Sequence, residues 1–212
     1  MFNKIITSLL IILVTGLAYA ARPFFTDDAG TVEAGIHELE FGLDYWPDNS
    51  AVSVSFKHGL TNRMDIGIGF GHIFEPDEIN GFTSLEIGLK YVLLTDLLAA
   101  SVVVNPGDPS YVFNGILSHG FGPFCINLNT GYTVTTMPDD NSSIIYALGI
   151  LYDFPRFTVG LEASGNDDNL DTWQIGGNIC LIPALRFDLG LSGGFEDIGD
   201  SMLMTGGLHY EF

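Results

Sequence analysis

Basic residues, cysteine and long apolar runs are all scarce in this chain. Only 7 of its 212 residues are Lys or Arg, against 26 Asp and Glu, and the formal net charge is −19. Nucleic-acid binding needs clustered basic side chains, so this composition excludes that class of partner. No stretch after residue 20 is apolar for the ~20 residues that a membrane-spanning helix needs. We expect the only cysteines, Cys125 and Cys180, to be small buried thiols, too far apart to bridge.

The first twenty residues have the three parts of a secretory leader. Met1 to Lys4 is a short positive start, Ile5 to Leu17 is mostly apolar, and Ala18-Tyr19-Ala20 is a small-x-small cleavage sequence. We therefore predict a signal peptide over 1–20 that is cleaved near Ala20. Such a leader implies export across the inner membrane.

What the chain has in abundance is a two-residue alternation that runs from about Gly35 to Phe212. Successive side chains of a strand point to opposite faces, so the alternation puts apolar groups toward lipid and polar groups toward a lumen. In the last segment Met204, Leu208 and Tyr210 share one face, while His209 and Glu211 share the other. The sequence predicts an all-β fold, a membrane-spanning up-and-down antiparallel β-barrel of about 12 strands over 35–212. A soluble sandwich is the alternative, because its strands also alternate.

The connections between the predicted strands alternate in character. Short turns, such as Leu60 to Arg63, interleave with acidic loops, such as Gly165 to Asp171. This arrangement predicts short periplasmic turns, acidic extracellular loops and a barrel in the outer membrane of a Gram-negative bacterium. Aromatic residues near both rims predict contact with outer-membrane lipid and lipopolysaccharide. We interpret Tyr210 and the terminal Phe212 as the membrane-insertion signal read by the barrel-assembly machinery.

Three segments carry a resemblance to a known family. They are Ala21 to Gly35 leading into His37-Glu38-Leu39-Glu40, the strand–turn–strand His58 to Gly69, and Ile87 to Tyr91. Together they resemble the outer-membrane β-barrel family of transporters named for the meta-pathway of phenol degradation. The resemblance covers the first third of the chain well and implies a porin-like or transport role. The family name alone does not make phenol the solute.

The polar face of the predicted barrel holds the candidate functional residues. Lys57 is predicted to pair with Glu38 or Glu40 of the neighbouring strand, and Lys90 to lie across from Asp65. Such charges in a narrow lumen must be paired or hydrated, so they form either a cation-preferring constriction or a structural ion-pair plug. Inward glycines, Gly42, Gly149, Gly160, Gly176 and Gly190 among them, make room for long side chains or for a passage. The full lumen or gating set is Glu38, Glu40, Lys57, Asp65, Glu86, Lys90, Glu162, Arg186, Asp188, His209 and Glu211.

Residues 21–34 precede the first strand and form the second candidate. They are either a periplasmic segment ordered against the end of the barrel or a plug that folds into the lumen. Thr26 to Gly30 has the composition of a tight, side-chain-bonded turn in either case. The residues that would act in a plug are Arg22, Phe24, Phe25, Asp27 and Asp28.

The sequence favours transport over catalysis. Gly190-Leu191-Ser192-Gly193-Gly194 matches a nucleophile elbow, but that motif needs a strand, a sharp turn and then a helix. No histidine pair has metal-binding spacing, and we expect no enzyme activity, cofactor or metal site. The favoured function is a porin-like channel or transporter for small solutes, extending to hydrophobic or aromatic compounds. The alternative is a closed structural or envelope-interaction barrel with an ion-pair-plugged lumen.

Overall fold

The computed structural model describes residues 22–107, 110–135, 142–196 and 202–212. The predicted leader, its cleavage site, and parts of the acidic loops over 137–141 and 195–200 lie outside these residues. The strands are β1 His37–Trp46, β2 Asn49–Thr61, β3 Met64–Glu75, β4 Gly81–Phe82, β5 Glu86–Leu94, β6 Leu98–Asn105, β7 Ser110–Phe121, β8 Phe124–Thr135, β9 Ser143–Asp153, β10 Phe157–Asn166, β11 Leu170–Ile182, β12 Leu185–Gly194 and β13 Leu203–Glu211, and one 3-10 turn spans Asp77–Ile79. No helix among the described residues is long and apolar enough to cross a membrane.

The strands form one antiparallel sheet that closes on itself. Neighbours follow chain order from β5 to β13, β13 pairs with β1, and β2 pairs with both β1 and β3. The pairing of β3 with β5 completes the ring. The prediction of a 12-strand up-and-down barrel is confirmed. We call the end with the short connections, such as 61–64 and 153–157, the turn end, and the opposite end the loop end.

The fourth wall strand is interrupted. The two-residue β4 and the longer β5 both pair with β3 and share one position in the wall. Between them, the Thr83 N–H donates to Gly71 O at 3.0 Å, and Thr83 Oγ1 accepts from the Gly71 N–H at 2.7 Å. This hydroxyl replaces a ladder partner, which ends regular pairing at that point.

The two faces of the wall differ in polarity as the alternation predicts. Along β1, Leu39 and Phe41 are 41% and 46% exposed, whereas Glu38 and Glu40 are 8% and 3% exposed. Outward-facing aromatic side chains lie toward both ends of the barrel, with aliphatic side chains between them. Such rims match the two water–lipid boundaries of a bilayer. The outward aromatics are Tyr45, Phe74, Phe113 and Tyr132 toward the loop end, and Tyr91, Phe157, Phe187, Tyr210 and Phe212 toward the turn end.

The two cysteines are free in this structure. The expectation that both are buried is wrong, because Cys125 is half-buried and Cys180 is exposed. A register shift between Cys180 and Ile182 breaks the pairing of β11 with β12. Cys180 itself still pairs in register with Arg186, and both side chains are exposed at the turn end of the barrel.

Candidate functional site in the barrel lumen

Residues 22–34, which we call the N-terminal segment, lie inside the barrel. Ala34 bridges to Gly59 at the turn end, and Arg22 reaches Asp44 and Thr205 toward the loop end. The segment therefore enters the lumen at the turn end and rises past its middle. Arg22, Phe24 and the residues that follow are mostly buried. The segment occupies the lumen between the turn end and the level of Asp44.

Polar wall side chains bind the main chain of the segment. Glu162 accepts the N–H groups of Phe25 and Thr26 at 2.5 and 2.8 Å. Asn129 accepts the Asp27 N–H at 2.6 Å and donates to the Asp27 carbonyl at 2.9 Å. A segment without regular secondary structure needs such partners for its buried main-chain groups.

Three more wall residues continue this set toward both ends. Gln174 donates to the Pro23 carbonyl near the amino-terminal end of the segment. Ser118 Oγ accepts the Ala29 N–H at 2.8 Å, and Asp65 Oδ2 accepts the Val32 N–H at 3.0 Å. Wall contacts thus follow the main chain from Pro23 to Val32.

Two ion pairs anchor the side chains of the segment. Arg22 Nη1 lies 3.2 Å from Asp44 Oδ1, and Nη2 donates to Ser53 Oγ at 2.8 Å. Lys90 Nζ lies 2.7 Å from Asp27 Oδ1 and 3.9 Å from Asp28 Oδ1. Burial raises the pKa of Asp27 to about 6, although the Lys90 ammonium opposes this rise. Asp27 is therefore mostly ionised, and its ion pair with Lys90 fully formed, only above that pH.

Glycines in the wall form a seat that fits the segment. A Cβ at Gly160 would lie 2.8 Å from the Phe24 ring, and one at Gly149 would lie 2.6 Å from Thr26 Oγ1. A Cβ at Gly176 would lie 2.7 Å from Pro23 Cγ, and one at Gly42 would overlap Arg22. The lumen is thus shaped around residues 22–26. The inward glycines of the sequence leave room for a piece of the same chain.

Gly59 should be the most sensitive part of this seat. A Cβ there would overlap the Glu33 carbonyl and lie 2.5 Å from Val32 O, and neither atom can rotate away as a side chain would. We expect Gly59→Ala to lift the segment from the wall and to raise hydrogen exchange of its amides at least about tenfold, as the loss of one or two hydrogen bonds would. Hydrogen–deuterium exchange mass spectrometry of residues 22–36 measures this.

Gly120→Ala is the matched control, because a Cβ there would meet only Phe124 O at 3.9 Å. We expect this variant to keep the parental exchange rates. If the amides of the segment were equally protected from exchange in both variants, the prediction that Gly59 packs directly against the segment would be contradicted.

A second cluster lies beside the segment at the turn end. Lys57 Nζ is 2.8 Å from Glu38 Oε1 and 3.7 Å from Glu40 Oε2, as the predicted pairing has it. His209 Nε2 is 3.3 Å from Glu38 Oε2 and 3.4 Å from Glu211 Oε1. Ligand atoms of Glu38, His209 and Glu211 lie within 4.8 Å of one another and could hold a metal ion. The adjacent Lys57 ammonium already neutralises part of this charge, which favours an ion-pair network.

The remaining predicted lumen residues occupy different surroundings. Lys90 is opposite Asp65 in register, but its ammonium binds Asp27 of the segment instead. Glu86 and Asp188 are buried at 6% and 2% exposure. Arg186 is exposed at the turn end, adjacent to His209 in the β12–β13 pairing, and forms no ion pair within the described residues.

Some residues of the site are absent from the predicted gating set. Asn129, Gln174 and Ser118 contact the segment, and so does Asp44. The alternation places all of them on the inward face, but it cannot rank inward polar residues without the course of the segment. Ser192, in the elbow-like sequence, is a buried residue of β12.

A cavity of about 600 Å³ lies at the turn end of the lumen. Its lining includes Asp28 and Val32 of the segment, Lys57 and Arg186 of the wall, and the terminal Phe212. The segment forms one side of this cavity.

No protein-family profile and no curated protein matches this chain. Among solved structures, the KdgM porin is 11% identical with a TM-score of 0.64, covering 82% of this chain and 99% of that one. The NanC porin is 10% identical with a TM-score of 0.61, covering 82% and 98%.

The COG4313 outer membrane channel from Pseudomonas putida F1 is also similar. It is 12% identical with a TM-score of 0.58, and the match covers 87% of this chain and 98% of that one. At such identities the similarity establishes the fold and no more. The chain therefore has the closed-barrel fold of outer-membrane porins and channels.

Proposed function

We propose that this chain is an outer-membrane channel for small solutes. Its N-terminal segment closes the lumen while it is bound inside, and the lumen opens when the segment leaves. One observation carries the proposal: hydrogen bonds and ion pairs hold the segment in a glycine-lined seat. The buried apolar cluster that includes the segment is small, consisting of Ala29, Ala99 and Ile116. Each hydrogen bond exchanged with water contributes only about 0.5–1.5 kcal/mol net, so a segment held in this way can undock.

The wall that the segment covers would select for cations. Its buried acids, such as Glu40 and Asp188, outnumber its buried bases, Lys57 and Lys90. Rings of Asp and Glu select cations in channels. The KdgM porin has been solved in complex with disordered oligogalacturonate, a polyanion. The acidic wall here favours cationic or neutral solutes instead.

The resemblance to the phenol-pathway family adds small hydrophobic or aromatic compounds as a candidate solute class. The polar lumen supports hydrophilic solutes more directly, because its inward side chains are mostly charged or amide groups. We also propose that the barrel contacts outer-membrane lipid and lipopolysaccharide through its aromatic rims. Tyr210 and Phe212 would present the insertion signal to the barrel-assembly machinery.

A closed structural barrel is the second candidate. The Lys57 network with Glu38 and Glu40 favours it, because these charges link neighbouring strands across the turn end. On that view the segment never leaves. Conductance of the intact chain and of anchor variants separates the two candidates.

Loosening the segment should open the channel. Arg22→Ala and Lys90→Ala each remove an ion-pair anchor, and a bond to an ionised group contributes about 1.5–3 kcal/mol. We therefore expect each variant to raise the open probability at least about tenfold, since 1.4 kcal/mol is a factor of ten. Single-channel recording in planar bilayers measures this directly.

Arg186→Ala is the charge-matched control, because Arg186 carries the same charge at the turn end without an ion pair to the segment. It should leave the open probability near the parental value. If the parent and both anchor variants are folded but carry no current, the structural barrel is favoured.

A further inference from the structure

The wall recognises the segment mainly through its main chain. Glu162 and Asn129 bind the N–H groups of Phe25, Thr26 and Asp27. The groups that Gln174, Ser118 and Asp65 contact are likewise a carbonyl and two N–H groups. Every peptide carries such groups, whatever its side chains. Recognition through them tolerates changes of sequence in the bound strand.

The charged residues around the segment favour one chain direction for a strand bound in the lumen. The segment runs with its amino-terminal side toward the loop end, where Arg22 meets Asp44. Asp188 is buried close by, since its Oδ1 and Arg22 Cδ both flank the Cβ position of Gly207. A strand in the same orientation would present its positive amino-terminal end to these acids.

We infer that the lumen is a binding site for extended peptides, in which a short peptide with a positively charged amino-terminal end takes the place of residues 22–32. This inference rests on the proposed function, because the segment must leave before another peptide can bind. The glycine seat then accommodates modest side chains close to the wall. Glu162 and Asn129 hold the peptide main chain in the middle of the lumen.

The test uses the barrel without residues 22–32, reconstituted in planar bilayers. Three synthetic probes are added on the turn side: a peptide with the sequence of 22–34, one with the same residues in scrambled order behind the first Arg, and the scrambled peptide N-methylated at its fourth and fifth residues. We expect the first two both to block the current, the scrambled peptide at about tenfold higher concentration because it loses the Asp27–Lys90 ion pair. N-methylation also removes the donors for Glu162, so the third should need at least about tenfold more than the scrambled peptide.

Two wall variants give a matched comparison. Glu162→Gln and Glu86→Gln each remove one buried carboxylate, but only Glu162 contacts the segment main chain. We expect Glu162→Gln to raise the half-blocking concentration about tenfold and Glu86→Gln to change it less than about threefold. Spermidine, a cation without peptide groups, should show no difference between the two variants.

The outcomes separate this inference from the channel proposal. If the deleted barrel conducts but the scrambled peptide does not block it, the peptide inference fails alone. Equal block by the N-methylated peptide also overturns it. If the deleted barrel is silent, the channel proposal fails. Fluorescence anisotropy of a labelled scrambled peptide with the detergent-solubilised barrel then decides whether the lumen binds peptides.

Discussion

Deletion of residues 22–32 is expected to turn a mostly closed barrel into a steadily conducting, cation-selective pore. These residues fill the lumen from the turn end to the level of Asp44, and the wall glycines Gly149, Gly160 and Gly176 leave space behind them. A barrel of about 12 strands is wider than one of about eight, which side chains alone can fill. Planar-bilayer conductance and the reversal potential in a KCl gradient measure the opening and its selectivity. We expect conductance at least about a hundredfold above the parental average, since the anchors that hold the closed state are lost together.

The control for this deletion keeps the length of the segment. In it, residues 22–32 are replaced by a Gly/Ser sequence, which retains main-chain N–H groups for Glu162 and Asn129 but loses Arg22, Asp27 and Ala29. Intermittent openings, between those of the parent and of the deletion, are expected. A folded deletion barrel that stays silent would show that something besides the segment closes the lumen.

The barrel could be predicted from the sequence because its signal is local. A two-residue period appears within any single strand, such as His37–Trp46, and needs no knowledge of its neighbours. The Lys57 pairing could be predicted for a similar reason. Consecutive strands joined by a short turn fix their own register, so Lys57 lies opposite Glu38.

The course of the N-terminal segment could not be predicted in this way. It has no periodicity, and its contacts join residues far apart in sequence, as Arg22 and Thr205 do across 183 positions. The partner of Lys90 depends on that course, which is why its ammonium binds Asp27 although Asp65 is its neighbour in register. The break between β4 and β5 depends on one hydroxyl, that of Thr83, which the alternation of polar and apolar residues does not reveal.

Substitution of Lys57 by methionine is expected to have the largest effect on stability. Lys57, Glu38 and Glu40 are 8%, 8% and 3% exposed, so the ammonium neutralises carboxylates that water reaches only in small part. Removing one partner of such a buried set leaves uncompensated charge and costs about 3–5 kcal/mol. Lys57→Met should therefore lower the free energy of unfolding by about that amount. Urea titration of the barrel in lipid vesicles, followed by tryptophan fluorescence, measures the change.

A rescue variant makes the cause of this loss specific. Lys57→Met combined with Glu38→Gln and Glu40→Gln also removes both carboxylates that pair with Lys57, while His209 keeps Glu211. Buried ion pairs replaced as a set are often neutral in stability. We expect the triple variant to regain most of the lost free energy. Arg186→Met, which removes an exposed charge from the same end of the barrel, should change stability by less than about 0.5 kcal/mol. If the single and triple variants lose the same free energy of unfolding, the loss comes from the packing of the lysine stem and not from unpaired charge. The ion-pair network would then have no part in holding the turn end together.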